Sequence, residues 1–130
     1  MSRPVHFEIQ ADDPNRAIDF YETALGWSFT KAEGEEYWSI ETGPSSKPGI
    51  NGALIPRKGP PPPVTGGVPL VGYVVTVEVG DLDTMLHAVN NAGGSIVVPA
   101  SQVAGIGRLA YAKDTEGNIF GLRKSAAAKA

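Results

Sequence analysis

Cysteine is absent from the chain, which excludes disulfides, thiolate metal ligands and a cysteine nucleophile together. Long apolar runs are also missing, so no segment has the length of a membrane span. The opening MSRPVHFEI carries no apolar secretory core, and a cytoplasmic location with no membrane partner is expected. Clustered positive charge is lacking too. The 11 Lys and Arg are scattered among 14 Asp and Glu, apart from the pairs Arg57–Lys58 and Arg123–Lys124. A formal charge of −3 and a pI near 5.3 argue against a nucleic-acid partner, which needs a basic face. There is no nucleophile elbow, no P-loop and no dinucleotide fingerprint opening a helix. Covalent and nucleotide-cofactor chemistry therefore have no signature.

What is present suits one folded domain over 1–130: a chain of 130 residues, 42% of them hydrophobic. Its 16 Gly and 11 Pro concentrate in 43–69, above all in PRKGPPPPVTGGVP, Pro56 to Pro69. Four consecutive prolines cannot join a ladder and predict an extended linker over about 56–69. The linker separates two modules, 4–57 and 70–124, and leaves a tail at 125–130 that is expected to fray.

The modules share a grammar. In the first, Val5, Phe7 and Ile9 form the apolar face of a strand, with His6, Glu8 and Gln10 on the other face. Asp12-Asp13-Pro14 starts a helix, Ala17, Phe20, Tyr21, Ala24 and Leu25 recur at helical spacing, and Gly26 ends it. Strands are predicted at WSFTKA, EYWSIET and GINGALI. In the second, Tyr73, Val75, Val77 and Val79 alternate with Val74, Thr76 and Glu78. Asp81 caps a helix carrying Leu82, Met85, Leu86 and Val89, which stops at Gly93-Gly94. Strands follow at SIVVPA, GRLAYAK and NIFGLR. A shift of 81 − 13 = 68 places superposes Asp13 on Asp81, Ala24 on Ala92 and Gly26 on Gly94, so a duplicated unit is implied.

HFEIQADDPNRAIDFYETALGW in the first module, with VTVEVGDLDTMLHAVNNAGG and KDTEGNIFGL in the second, resembles the vicinal oxygen chelate superfamily. That is the group of glyoxalase I, bleomycin-resistance proteins and extradiol dioxygenases. The resemblance implies an α+β fold of two tandem βαβββ modules. Their curled mixed sheets would form a cleft, with helices on the outer faces, and a homodimer is expected. In metal-using members, each module supplies a His or Gln on its first strand, seven residues before the capping Asp, and a Glu on its last strand. His6 obeys that rule relative to Asp13, but the matching place in the second module is Val74. On the closing strands, the acid position counted from Asp114 is Gly121, and GINGALIP holds no carboxylate, with Ala53 about where one belongs. One imidazole does not hold a divalent cation well, since a catalytic zinc takes about three protein ligands. No metal and no cofactor are expected.

His6 and Glu8 lie two apart on one strand, so roughly 6.6 Å separates their side chains along it. They form either a base with an orienting partner or the polar lining of a wet cleft. Thr76 and Glu78 would face the same cleft from the second module, making it acidic and suited to a neutral or cationic organic ligand. Trp38, or its neighbour Tyr37, offers a stacking surface for a planar ligand. Tyr111 reads equally as a pocket phenol or a core residue. Arg123 neutralises Glu78, meets a ligand acid, or simply ends a strand in solvent. Trp27 reads as core and His87 as a surface histidine.

Three functions compete. The leading one is metal-independent binding of a metabolite or drug, bleomycin-resistance-like, in a cleft lined by His6, Glu8, Gln10, Trp38, Thr76, Glu78, Tyr111 and Arg123. The second is a glyoxalase-like lyase or isomerase using Glu8 or His6 as general base. The third is a metalloenzyme whose ligands lie elsewhere in the chain.

Overall fold

The computed structural model of the chain describes residues 2–60, 64–65, 68–69 and 72–125. Its first module runs β1 (His6–Ala11), α1 (Pro14–Leu25), β2 (Ser28–Lys31), β3 (Trp38–Glu41) and β4 (Asn51–Pro56). Alternation decides the face of β1: Phe7 and Ala11 are buried and Ile9 is half-buried, while His6, Glu8 and Gln10 are exposed. Helix α1 starts where Asp13 accepts the Arg16 amide at 3.1 Å, with Pro14 in its first turn. It ends at Gly26, whose φ of 73° is the left-handed cap that glycine adopts without strain. Ala17, Phe20, Tyr21 and Ala24 form its buried stripe, as their spacing predicts.

A short ladder, β5 (Val64–Thr65) with β6 (Val68–Pro69), follows. The sequence had this stretch as an extended spacer outside any ladder. Here two residues pair with two, within the sequence range of the linker. Pro61, Pro62 and Pro63 and the tail 126–130 lie outside the described residues. The second module runs β7 (Thr76–Glu78), α2 (Leu82–Asn91), β8 (Ser95–Val103), β9 (Gly107–Lys113) and β10 (Ile119–Ser125). β7 is shorter than its alternating run, and β8 outlasts SIVVPA because bulges between Ile96 and Ser101 carry Pro99 within it. Asp81 caps α2 by accepting the Thr84 amide at 3.0 Å. The repeat set Gly94 against Gly26, but the left-handed glycine after α2 is Gly93, at φ 100°. Gly94 answers a packing need instead: a Cβ there would lie 2.6 Å from the Lys113 carbonyl and 2.8 Å from Phe20.

The modules are two four-stranded sheets, ordered β1-β4-β3-β2 and β7-β10-β9-β8, each with one parallel pair (β1 with β4, β7 with β10) and the rest antiparallel. That is the βαβββ unit twice, one helix against one face of each sheet. The sheets do not join. β1 and β7 are outer strands, paired on one side only among the described residues. One core nevertheless spans both modules, with Phe20 and Tyr21 each 6.1 Å, ring centre to ring centre, from Phe120.

Candidate functional site

The turn between β9 and β10 fastens the modules together. Asp114 is buried and accepts four hydrogen bonds: from the Tyr21 hydroxyl (2.6 Å), the Glu116 and Asn118 amides (2.7 and 2.9 Å) and Asn118 Nδ2 (3.1 Å). Glu116, also buried, accepts from Arg16 through both Nε (2.6 Å) and Nη2 (3.0 Å), from the Asp13 amide (2.8 Å) and from the Thr115 hydroxyl (2.8 Å). Asn118 Nδ2 reaches back to the Gln10 carbonyl at 2.7 Å. Burial pushes the Asp114 carboxyl above its ordinary pKa despite its donors, and burial beside Asp114 pushes Tyr21 well up. For Glu116 burial is again the largest influence, yet Arg16, the Asp13 amide and Thr115 together hold it below the ordinary value. The Asp12-Asp13 helix start and the D-x-x-G-N turn are therefore two sides of one joint.

Above that joint, between the outer strands β1 and β7, lies a cavity of about 320 Å³. The buried Phe7, Tyr21, Trp27 and Phe120 supply aromatic wall, Ile9, Val75, Val77 and Ile119 aliphatic wall, and the exposed Tyr73 borders it. Glu8, Gln10, Arg57 and Asn118 add polarity. Tyr21 and Trp27 stack at 5.0 Å with their planes 3° apart, and Phe7 tilts against Trp27 at 5.6 Å. Arg57 is 4% exposed at its side chain and is pinned by Asp12, the Glu116 carbonyl and Asn118 Oδ1.

Of the residues that the sequence singled out, Glu8 and Gln10 line this cavity and six do not. His6 is exposed on the face of the first sheet turned away from α1. Thr76, Glu78, Tyr111 and Arg123 share one face of the second sheet, since Gly121 registers with Thr76 and Tyr111, and Arg123 with Glu78. There Arg123 Nε meets Glu78 at 2.9 Å, and the Ser125 amide and hydroxyl complete its oxygens. Trp38 points the other way, into the core beside Leu54 and Ile40, with Lys31 Nζ 5.7 Å from its ring centre, while Tyr37 is exposed. Sequence reasoning missed Arg57, which it counted with the linker, and Glu116, which sits in a quoted motif but at no ligand position. The signal for Glu116 was the opposed charge of Arg16, two residues into the helix.

The donor set does not fit the family's metal. His6 registers with Asn51, and Glu8 with Ala53, which carries no donor. At Gly121 a side chain would begin 2.7 Å from the Thr76 hydroxyl, so the space of an acid there is already taken. Among the described residues no three His, Asp or Glu side chains are grouped to hold an ion.

The model of the Glyoxalase/Bleomycin resistance protein/Dioxygenase superfamily matches residues 3–122. The chain belongs to this superfamily. A Mycobacterium bovis superfamily relative, "Putative glyoxylase CFP32", is 29% identical over 123 residues, which are 92% of this chain and 44% of that protein. The chain thus spans less than half of that relative's length. Among solved structures, the fosfomycin resistance protein FosX of Listeria monocytogenes, in complex with Mn(II), matches with a TM-score of 0.70. The two are 15% identical, over 97% of this chain and 92% of that one. TnmS3, an antibiotic binding protein from Streptomyces sp. CB03234, matches with a TM-score of 0.63 at 19% identity, over 97% and 98%. These structural matches establish the glyoxalase-like fold. Among the described residues no helix is long and apolar enough to cross a membrane.

Proposed function

We propose that this chain binds a small organic molecule, a metabolite or drug, in the cavity between β1 and β7, and does so without a metal. The observation that carries the reading is a cavity of about 320 Å³ whose lining includes four buried aromatic side chains, Phe7, Tyr21, Trp27 and Phe120. Ligand pockets run from about 300 Å³ upward and are mostly apolar, with a few placed polar groups. The shared fold of TnmS3, an antibiotic binding protein, supports the same reading. The site differs from the sequence expectation: the apolar residues Phe7, Ile9 and Val77 border it together with Glu8 and Gln10, and neither His6 nor Thr76 does.

A thermal-shift screen of metabolites and antibiotics tests this, because a ligand that binds only the folded state raises its apparent stability. Hits should persist in chelator, be recovered unchanged by mass spectrometry, and vanish in Val77→Trp, which fills the cavity. Hits that survive Val77→Trp would place binding elsewhere.

Glu8 favours a second reading. It lines the cavity, and a carboxylate is the residue type that serves as general base in a lyase or isomerase. We also propose a homodimer: Val5, Tyr73 and Val75 are 76%, 98% and 37% exposed beside the open edges of β1 and β7. Such edges invite a pairing strand.

A further inference from the structure

Arg57 is held unlike any other cation among the described residues. Its amide continues the β1–β4 ladder by donating to the Ala11 carbonyl at 2.8 Å, so its Cα belongs to the sheet. Its Nε is bonded to Asp12 at 3.0 Å, and its Nη2 to the Glu116 carbonyl and to Asn118 Oδ1. Nη1 has no partner among the described residues. The side chain as a whole is 4% exposed. The space that Arg57 lines is the cavity. The neighbouring polar groups are already committed: Tyr21 to Asp114, and Asn118 to Arg57, Asp114 and Gln10. A rigid guanidinium thus offers a donor into an aromatic chamber.

The charge around it selects the acceptor. Asp12 already matches the charge of Arg57, and Glu8 adds a second carboxylate to the lining. A carboxylate or phosphate ligand would meet a cation that is already neutralised and a carboxylate of its own sign. A neutral carbonyl oxygen accepts the hydrogen bond without that repulsion. Aromatic walls favour a flat ring system offset-stacked or edge-on against them. Resting on the reading of this cavity as a ligand site, we propose that Arg57 is its specificity-determining residue. It selects planar aromatic molecules that carry an uncharged carbonyl, and Nη1 donates to that oxygen.

The test uses matched probes that differ at one position: 9-fluorenone, fluorene and fluorene-9-carboxylate, each titrated against the full chain by tryptophan fluorescence. The preference for fluorenone over fluorene should fall about tenfold in Arg57→Met, the worth of one charge-assisted hydrogen bond, with fluorene affinity retained. Fluorene-9-carboxylate should bind more weakly than fluorenone. An unchanged ratio, or tighter binding of the carboxylate, overturns the role of Arg57 and leaves the cavity reading standing. If neither fluorene nor fluorenone binds, the ring class is wrong and this inference falls, while the library screen judges the broader reading. Because Arg57→Met removes three structural hydrogen bonds, a wild-type measurement stands beside it. The carbonyl stretch of bound fluorenone should shift to lower wavenumber than in an apolar solvent. An unshifted band means that no donor reaches the oxygen, and overturns the proposal.

Discussion

Replacing Asp114 by alanine should cost a large part of the stability of the fold. Three donors depend on that carboxylate: the Tyr21 hydroxyl and the Glu116 and Asn118 amides, at 2.6, 2.7 and 2.9 Å. Asn118 Nδ2 does not, because it keeps the Gln10 carbonyl. A buried donor left without a partner costs about 1–3 kcal/mol. Tyr21 and Glu116 are 3% and 2% exposed and should bear that fully, while Asn118 is half-buried and should bear less. The sum is about 3–6 kcal/mol, against a total of about 5–15 kcal/mol for an ordinary domain. Tyr21→Phe removes one donor and should cost about 1–2 kcal/mol alone, but almost nothing once Asp114 is alanine. Urea unfolding followed by tryptophan fluorescence reads both, since Trp27 stacks on Tyr21. A loss below about 1 kcal/mol for Asp114→Ala would refute the argument, because no buried donor would then have been orphaned. So would an equal cost of Tyr21→Phe in the two backgrounds.

Four more outcomes follow from the structure. Glu116 has a folded pKa below the ordinary 4.5, so its stabilisation is present above that value and is lost as pH falls through the lowered one. Glu116→Gln should therefore flatten the acid limb of a stability–pH curve. Asp114, raised by burial, acts in the opposite sense and favours the fold as it protonates. A Cβ at Gly52 would run into the carbonyl and ring of Phe7, so Gly52→Ala should destabilise by about 1–3 kcal/mol and weaken ligand binding by moving that wall; unchanged urea midpoints would count against it. If the lyase or isomerase reading holds, Glu8→Gln removes turnover and leaves affinity within a few-fold, measured as kcat against Kd. Val75→Lys should turn a dimer into monomers by light scattering, whereas a wild-type monomer at micromolar concentration would dismiss the pairing.

The fold was legible because its signals are local. Alternation in HFEIQA, the Asp13-Pro14 and Asp81 caps and the Gly26 stop each act within a turn or two, and each element stands close to where they put it. The site was not, because it is made by contacts across the chain. Glu116 meets Arg16 at a separation of 100 residues, and Arg57 meets Asn118 at 61. Alternation gives β3 two faces but not which one is buried, so the sequence leaves Trp38 and Tyr37 both open to a ligand, whereas Trp38 packs in the core. Family spacing directed attention to the strand face of His6. The apolar face of the same strand, which looks like core in any sequence, turned out to border the cavity.

Tyr21 has two jobs that pull on each other. Its ring is a wall of the chamber, and its hydroxyl is the clasp on Asp114. Neither half of the duplication owns the chamber: one contributes Phe7 and Trp27, the other Val77 and Phe120, and it exists only while the two are latched. Either half expressed alone would present a bare strand edge and no chamber. A guest that presses on Tyr21 bears on the latch itself, so occupancy and the grip between the halves should rise and fall together.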